Sequence, residues 1–322
     1  MDRLVSRRAM FAGAGKYIRF ADKAVERICI ANWSSDGKGL TYDDAARVTS
    51  QQFRGKFAGN TQIVSFKEFQ YFTGVDTFYE NDGFYGCSSL VSIKLPDTFR
   101  KPDWGSLSCP SLAGTFVLPA GVYGLSRSVM DGTTALTNLV CLAPSADIFF
   151  LSSGNGTGIL YTKNLTSAFR YINANYKHII IDGNVSFTAI DWLFQGGSVE
   201  SIRVKGDCTI SDSGGSLYMN GRLAFVELDG RFVSGGLLIN TGYASGAILH
   251  LGYNGVAGTP TQLLNDANIS TVYVGSGESQ AADQAVLNQY LADPDWAQYA
   301  SKLDLWFNYS GEYKAMPIIN QN

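Results

Sequence analysis

Ile202-Arg203-Val204, Val226-Glu227-Leu228, Leu249-His250-Leu251 and Val272-Tyr273-Val274 are the segments whose reading decides the fold. In each, two apolar residues flank a different one, the two-residue period of a strand with one buried face. The pattern continues towards the N-terminus through Ile179-Ile180-Ile181, Ile159-Leu160-Tyr161, Leu139-Val140-Cys141, Phe116-Val117-Leu118 and Ile93-Lys94-Leu95. The central residues fall at 94, 117, 140, 160, 180, 203, 227, 250 and 273, giving steps of 23, 23, 20, 20, 23, 24, 23 and 23. Such a period means a solenoid: no repeat can bury its apolar face alone, and stacking supplies the core.

The alternation assigns faces. The flanking Ile, Leu, Val and Phe residues form the stacked core, and Leu90, Leu112, Leu136, Val199 and Leu223, a few residues before their strands, form a further internal ladder. The central column points the other way, towards the concave contact face. Its polar members Lys94, Arg203, Glu227, His250 and Tyr273 are the candidate binding residues.

A solenoid needs covered ends. Ser279 to Leu291 has partial helical periodicity, and Asp293-Pro294-Asp295 reads as an N-cap with proline in the first turn. The chain thus divides into an N-terminal arm or anchor at 1–23, a helical leader at 24–74, the solenoid at 75–278, and a helical cap with tail at 279–322. The tail from Trp306 onward has no clear period and reads as an extended docking segment.

Composition narrows the function classes. The chain has 322 residues, 45% apolar and 16% charged, the balance of a folded protein with a sizeable core. A net charge of -3 leaves no basic footprint for nucleic acid. Arg7-Arg8 is not followed by the apolar stretch of a secretion signal, and no window reaches the length of a membrane span. The five cysteines, at 29, 87, 109, 141 and 208, contain no C-x-x-C pair and read as buried free thiols.

Residues 84–99, Phe-Tyr-Gly-Cys-Ser-Ser-Leu-Val-Ser-Ile-Lys-Leu-Pro-Asp-Thr-Phe, resemble a repeat of the BspA-type leucine-rich-repeat family, and Cys109-Pro-Ser-Leu112 with Phe116-Val-Leu-Pro119 is a looser copy. Cys29-Ile-Ala-Asn-Trp33 and Phe66-Lys-Glu-Phe-Gln-Tyr-Phe-Thr-Gly74 resemble leader segments of such proteins in gut Bacteroidota and their phages. The resemblance covers about residues 22–122 and implies a leucine-rich-repeat solenoid of 20–24-residue repeats with one short parallel strand each. A parallel β-helix is the alternative, kept alive by Cys208-Thr-Ile210 and Phe232-Val233 as second strands.

The resemblance also implies a calcium-loop-like segment at 32–46. Placing Gly39 at position 6 of a calcium loop puts Ser34 at 1, Asp36 at 3 and Lys38 at 5, with Asp44 near the end. A lysine in a ligand slot opposes the cation, so a turn capping a helix at Tyr42–Thr49 is expected and no metal. No nucleophile, zinc or P-loop motif occurs, and Gly154-Asn-Gly-Thr-Gly158 leads into a strand where a phosphate cradle needs a helix. Asp76, Glu80 and Asp82 are the nearest approach to a glycosidase acid pair.

The expectation is therefore a non-enzymatic, cofactor-free binding or structural protein. Its place is a phage virion or, alternatively, the bacterial surface, where it oligomerises through its N-terminal arm and meets protein partners or a host protein or glycan. The rivals are a β-helix polysaccharide depolymerase and a cytoplasmic interaction scaffold.

Overall fold

The computed structural model describes residues 15–125, 128–143, 147–148, 157–166, 176–187, 194–195, 199–210, 216–234, 237–264 and 268–315. The chain winds as a parallel β-solenoid. Its main sheet runs from Gly114–Leu118 through Leu136–Cys141, Ile159–Thr162, His178–Ile181, Ser201–Val204, Ser216–Leu228, Leu237–Leu251 and Ile269–Val274 to Leu303–Leu305, every neighbouring pair parallel.

Strand alternation places the core as the sequence pattern requires. Phe116, Leu118, Leu139, Cys141, Ile179, Ile181, Ile202, Val204, Val226, Leu228, Leu249, Leu251, Val272 and Val274 are all buried in one continuous cluster. So are Leu90, Leu112, Leu136, Val199 and Leu223, the internal ladder.

At one turn the assigned faces are corrected. Val140 pairs with Tyr161, and Tyr161 with Ile180, so Tyr161 and not Leu160 belongs to the outer column. Leu160 instead points into the core. The Tyr161 hydroxyl donates to Asp182 at 2.7 Å. Three apolar residues in a row gave the alternation nothing to lock onto there, and a one-residue slip exchanges faces.

The expectation of one strand per repeat is also corrected. A second parallel sheet, Leu165–Thr166, Val185–Phe187, Cys208–Ile210 and Phe232–Ser234, follows the main one around a corner, and Gly124–Leu125 pairs with Asp147–Ile148 further back. Cys208-Thr-Ile210 and Phe232-Val233, the possible second strands, are therefore strands.

What turns the corner is a ladder that strand patterning does not reveal. Asn164, Asn184 and Asp207 occupy equivalent places, and each side-chain oxygen accepts the backbone N–H of the next turn: Asn184 at 2.8 Å, Asp207 at 2.8 Å and Arg231 at 2.9 Å. Immediately before the donor residues Asn184, Asp207 and Arg231 stand Gly183, Gly206 and Gly230. A Cβ at Gly206 would collide with Asn184 and the Gly183 backbone, and one at Gly230 with the Gly206 backbone.

Both ends are covered. The leader packs Phe53, Phe57, Phe66, Phe69, Phe72, Phe78 and Phe84 into one aromatic core, with Phe53–Phe69 ring centroids 5.0 Å apart. Asp22 caps the helix Lys23–Trp33 with one oxygen, and its other oxygen accepts Val64 N–H at 2.6 Å. Ile18 and Phe20 are buried there, so the described part of the 1–23 segment is packed against the leader. At the far end the helix Gln280–Ala292 and the turn Pro294–Ala297 lay Tyr290 and Trp296 over the last coil. The Trp296 indole donates to Gly258 O at 2.6 Å, and Tyr290 OH accepts Ala257 N–H at 2.9 Å.

All five cysteines are buried and free. Burial pushes the Cys87 thiol up to about 11 and those of Cys141 and Cys208 to about 12.

Gly230→Ala should cost about 1–3 kcal/mol, because the new methyl meets backbone that cannot move without unstacking a turn. Urea denaturation measures it; an unchanged midpoint would mean that the corner ladder does not constrain the coil.

Candidate functional site

Arg203, Glu227, His250, Tyr273 and Asp304 are register partners on five successive strands, one above another on the outer face of the main sheet. The structure thus brings together the four candidates from the later repeats. Lys94 stands apart: it is exposed, and it follows Ser92–Ile93, which among the described residues pairs with Ser65–Phe66 and not with the main sheet.

The column is not open to solvent as expected, because the tail returns over it. Trp306 stacks face to face on His250, centroids 3.8 Å apart and planes 13° apart. Tyr309 stacks on Trp306 at 4.6 Å and leans on Tyr273 at 5.0 Å, and Tyr313 stacks on Phe225 at 4.7 Å. Lys314 donates to the carbonyls of Trp306 and Tyr309, and the fully buried Asp283 accepts Gly277 N–H at 3.0 Å and Phe307 N–H at 2.7 Å. His250 is left only 2% exposed. The docking segment read at Trp306 onward therefore docks, as far as it is described, onto its own solenoid.

Beneath this strap the charges are paired. Glu227 holds Arg203 Nε at 2.8 Å on one oxygen and His250 Nδ1 at 3.2 Å on the other, and His250 Nε2 lies 2.8 Å from Gly275 O. The Arg203–Glu227 contact is an ion pair without a directed hydrogen bond, since the N–H misses the oxygen's line. The guanidinium also sits 5.3 Å over the Phe225 ring. Both imidazole nitrogens face oxygens. Asp229, two residues along from Glu227 on the same face, donates its N–H to Val204 O at 2.9 Å, and its side chain has no hydrogen bond or ion pair among the described residues. Burial and then the Glu227 charge push its carboxyl up to about 6.

Elsewhere the candidate residues serve structure. In the 32–46 loop Asp36 is held by Lys16 at 2.8 Å and Tyr17 OH at 2.7 Å, which keep it well below the usual carboxylate range. Ser34 donates to Gly39 O at 2.6 Å, Lys38 is exposed, and Asp44 closes a capping box with Thr41 at the helix Tyr42–Arg47. Asp76 bonds Ser50, Asp82 accepts Gly55 N–H, and Glu80 is exposed, so the three carboxylates have separate surroundings. His178 Nδ1 lies 3.0 Å from the Ser201 hydroxyl on the next strand. Residues 1–14, Trp192 and Gly154 to Gly156 lie outside the described residues.

One open feature does stand out. Trp104 and Tyr85, 47% and 44% exposed, lie on neighbouring turns: Asn81 N–H donates to Trp104 O at 2.8 Å, and the Tyr85 ring rests against Gly105. Arg54 lies 4.9 Å over the nearby Tyr79 ring and pairs with Asp82.

Comparison with protein-family models, with curated proteins and with solved structures finds no match. No helix among the described residues is long and apolar enough to cross a membrane.

Trp306→Ala should destabilise the chain by about 3–5 kcal/mol, as for other buried tryptophans, read from the thermal midpoint; a surface-sized effect would mean that the strap is not seated. Asp229 opposes folding once ionised, because its carboxyl is raised from 3.8 to about 6. The penalty is absent below the lower value, grows between the two and is complete above the higher. Asp229→Asn should therefore raise stability at pH 7 by about 1–3 kcal/mol and leave it unchanged at pH 3, as urea titrations at both pH values would show.

Proposed function

We propose that this chain is a non-enzymatic binding module, a leucine-rich-repeat solenoid of the BspA kind carried on a phage virion or, alternatively, a bacterial surface. The observation that carries the reading is the Tyr85–Trp104 pair. Two large aromatic rings exposed on neighbouring turns mark a contact surface, since such rings bind either a flat sugar face or a protein anchor. Asn81, Glu80, Lys101 and Asp103 around them offer the hydrogen-bonding groups that a glycan or a polar protein surface needs.

The leucine-rich-repeat assignment is supported by the two Cys-x-x-Leu turns. The Cys87 thiol donates to Phe57 O at 3.1 Å and the Cys109 thiol to Phe84 O at 3.2 Å, each tying its own turn to the preceding one. Leu90 and Leu112 then enter the core. In this reading residues 1–23 join the module to its assembly, and the opposite end is closed by its own helix and strap.

The second strand in successive turns favours the rival fold, a β-helix, and with it the polysaccharide depolymerase reading. That chemistry needs two carboxylates across an accessible sugar. Glu227 and Asp229 are two carboxylates on one face, and Glu227 belongs to the column that the strap covers.

The test is binding of purified protein to intact host cells and to their isolated surface glycans, with a Trp104→Ala/Tyr85→Ala double variant alongside. The double variant should bind about tenfold more weakly or worse with its thermal midpoint unchanged. Equal binding by both proteins would remove this surface from the reading, and chain cleavage of the glycan would replace the reading with the depolymerase.

A further inference from the structure

We propose that Glu227, Asp229 and His250 form a binding site for a divalent transition-metal ion of the zinc type, roofed by Trp306. The inference stands independently of what the solenoid's partner is.

One ligand atom from each of the three residues lies within 4.8 Å of the other two. Their placement follows from the fold: Glu227 and His250 are register partners on adjacent strands, and Asp229 is the next outward residue after Glu227. The imidazole is oriented as metal-binding histidines are, one nitrogen fixed on a backbone carbonyl, here Gly275 O, so that the other is presented. That other nitrogen, Nδ1, is 3.2 Å from Glu227 Oε1. Two ligands each about 2.0–2.1 Å from a tetrahedral ion lie about 3.3–3.4 Å apart, so the ion fits between them with a shift of a few tenths of an ångström.

Asp229 supplies the second observation. Its half-buried carboxyl has no side-chain hydrogen bond or ion pair among the described residues and stands close to that of Glu227. A cation between the two offsets their like-charge repulsion. Glu227 can keep Arg203 on Oε2 while Oε1 binds, an outer-shell arrangement. One nitrogen and two carboxylates suit zinc, cobalt or nickel better than calcium, which prefers six or more oxygens.

Nδ1 binds through its lone pair while Nε2 donates to Gly275 O, and Arg203 stays on the far oxygen of Glu227. Trp306 lies against the ring's face and not in the ring plane, where the ion would sit.

Zinc chloride titrated calorimetrically into the chelator-treated full chain at pH 7 should show one ion per chain and a raised thermal midpoint. Calcium chloride should give neither. Asp229→Asn removes a ligand while leaving the Trp306 stack and the Arg203 pair intact, and should weaken zinc binding about tenfold or more. Equal zinc affinity in wild type and Asp229→Asn would overturn the proposal, as would absence of a binding heat in the wild-type chain.

Discussion

Each turn of this chain has to land in register on the turn before it, and everything else in the structure follows from that requirement. Parallel strands about 4.7–4.9 Å apart bring equivalent residues into direct contact. An inward residue therefore meets its own counterpart above and below, and a single wrong size propagates along the column. The Asn164–Asn184–Asp207 ladder and the glycines at 183, 206 and 230 are the device that meets this requirement at the corner. The amide or carboxylate supplies an acceptor for the next turn's N–H, and the glycine lets backbone approach where a side chain would hold the turns apart. The buried thiols of Cys87 and Cys109 do the equivalent work in the earlier turns.

The same stacking creates a problem on the outer face. Residues there are stacked as rigorously as those in the core, so like must be followed by something compatible. The first half resolves this with apolar contact, Val140 against Tyr161 against Ile180. The second half alternates charge, Arg203 then Glu227 then His250, so that each group sits between opposite or neutral neighbours. Buried ion pairs gain little unless their remaining polar atoms are satisfied. Here the covering is aromatic: Trp306 on the imidazole, Phe225 under the guanidinium, and Tyr309 and Tyr313 continuing the stack. Flat rings shield the pairs from water while still interacting with cations, which aliphatic side chains could not do.

The core of the solenoid is legible in the sequence because a period of two within a period of about 23 is a strong signal. The inward residues at 116, 118, 139, 141, 179, 181, 202 and 204 all fall where alternation places them. Alternation fails only at Ile159-Leu160-Tyr161, where no polar residue breaks the symmetry between the two faces. The corner was also written in the sequence, as Asp182-Gly-Asn184, Lys205-Gly-Asp207 and Asp229-Gly-Arg231 at matching spacing, but a search tuned to apolar triplets passes over it. The strap was not legible. Trp306 and Tyr313 lie on short 3₁₀ turns and Tyr309 between them, with no sustained period, and the solenoid rings they pack on are more than thirty residues away in sequence. Column membership of Arg203, Glu227, His250 and Tyr273 could be read from strand spacing, whereas their burial depends wholly on a segment that spacing does not describe.

The two ends of the outer surface consequently have different chemistry for one physical reason. In the later turns a tail is available to cover the column, so polar residues there can be sealed and matched to one another. In the turns near Tyr85 and Trp104 the described chain offers no such cover, and the rings remain in water at the rim of the coil. A fold that invests a strap in hiding one row of side chains, yet leaves two of its largest aromatic residues exposed together, does not lack the means to bury them. Nor does exposure there relieve any strain, since Gly105 already gives the Tyr85 ring its seat against the next turn. The exposed rings and the sealed polar column thus follow from one difference, whether a further described segment lies over that part of the coil, while the stacking that builds the core holds both in place.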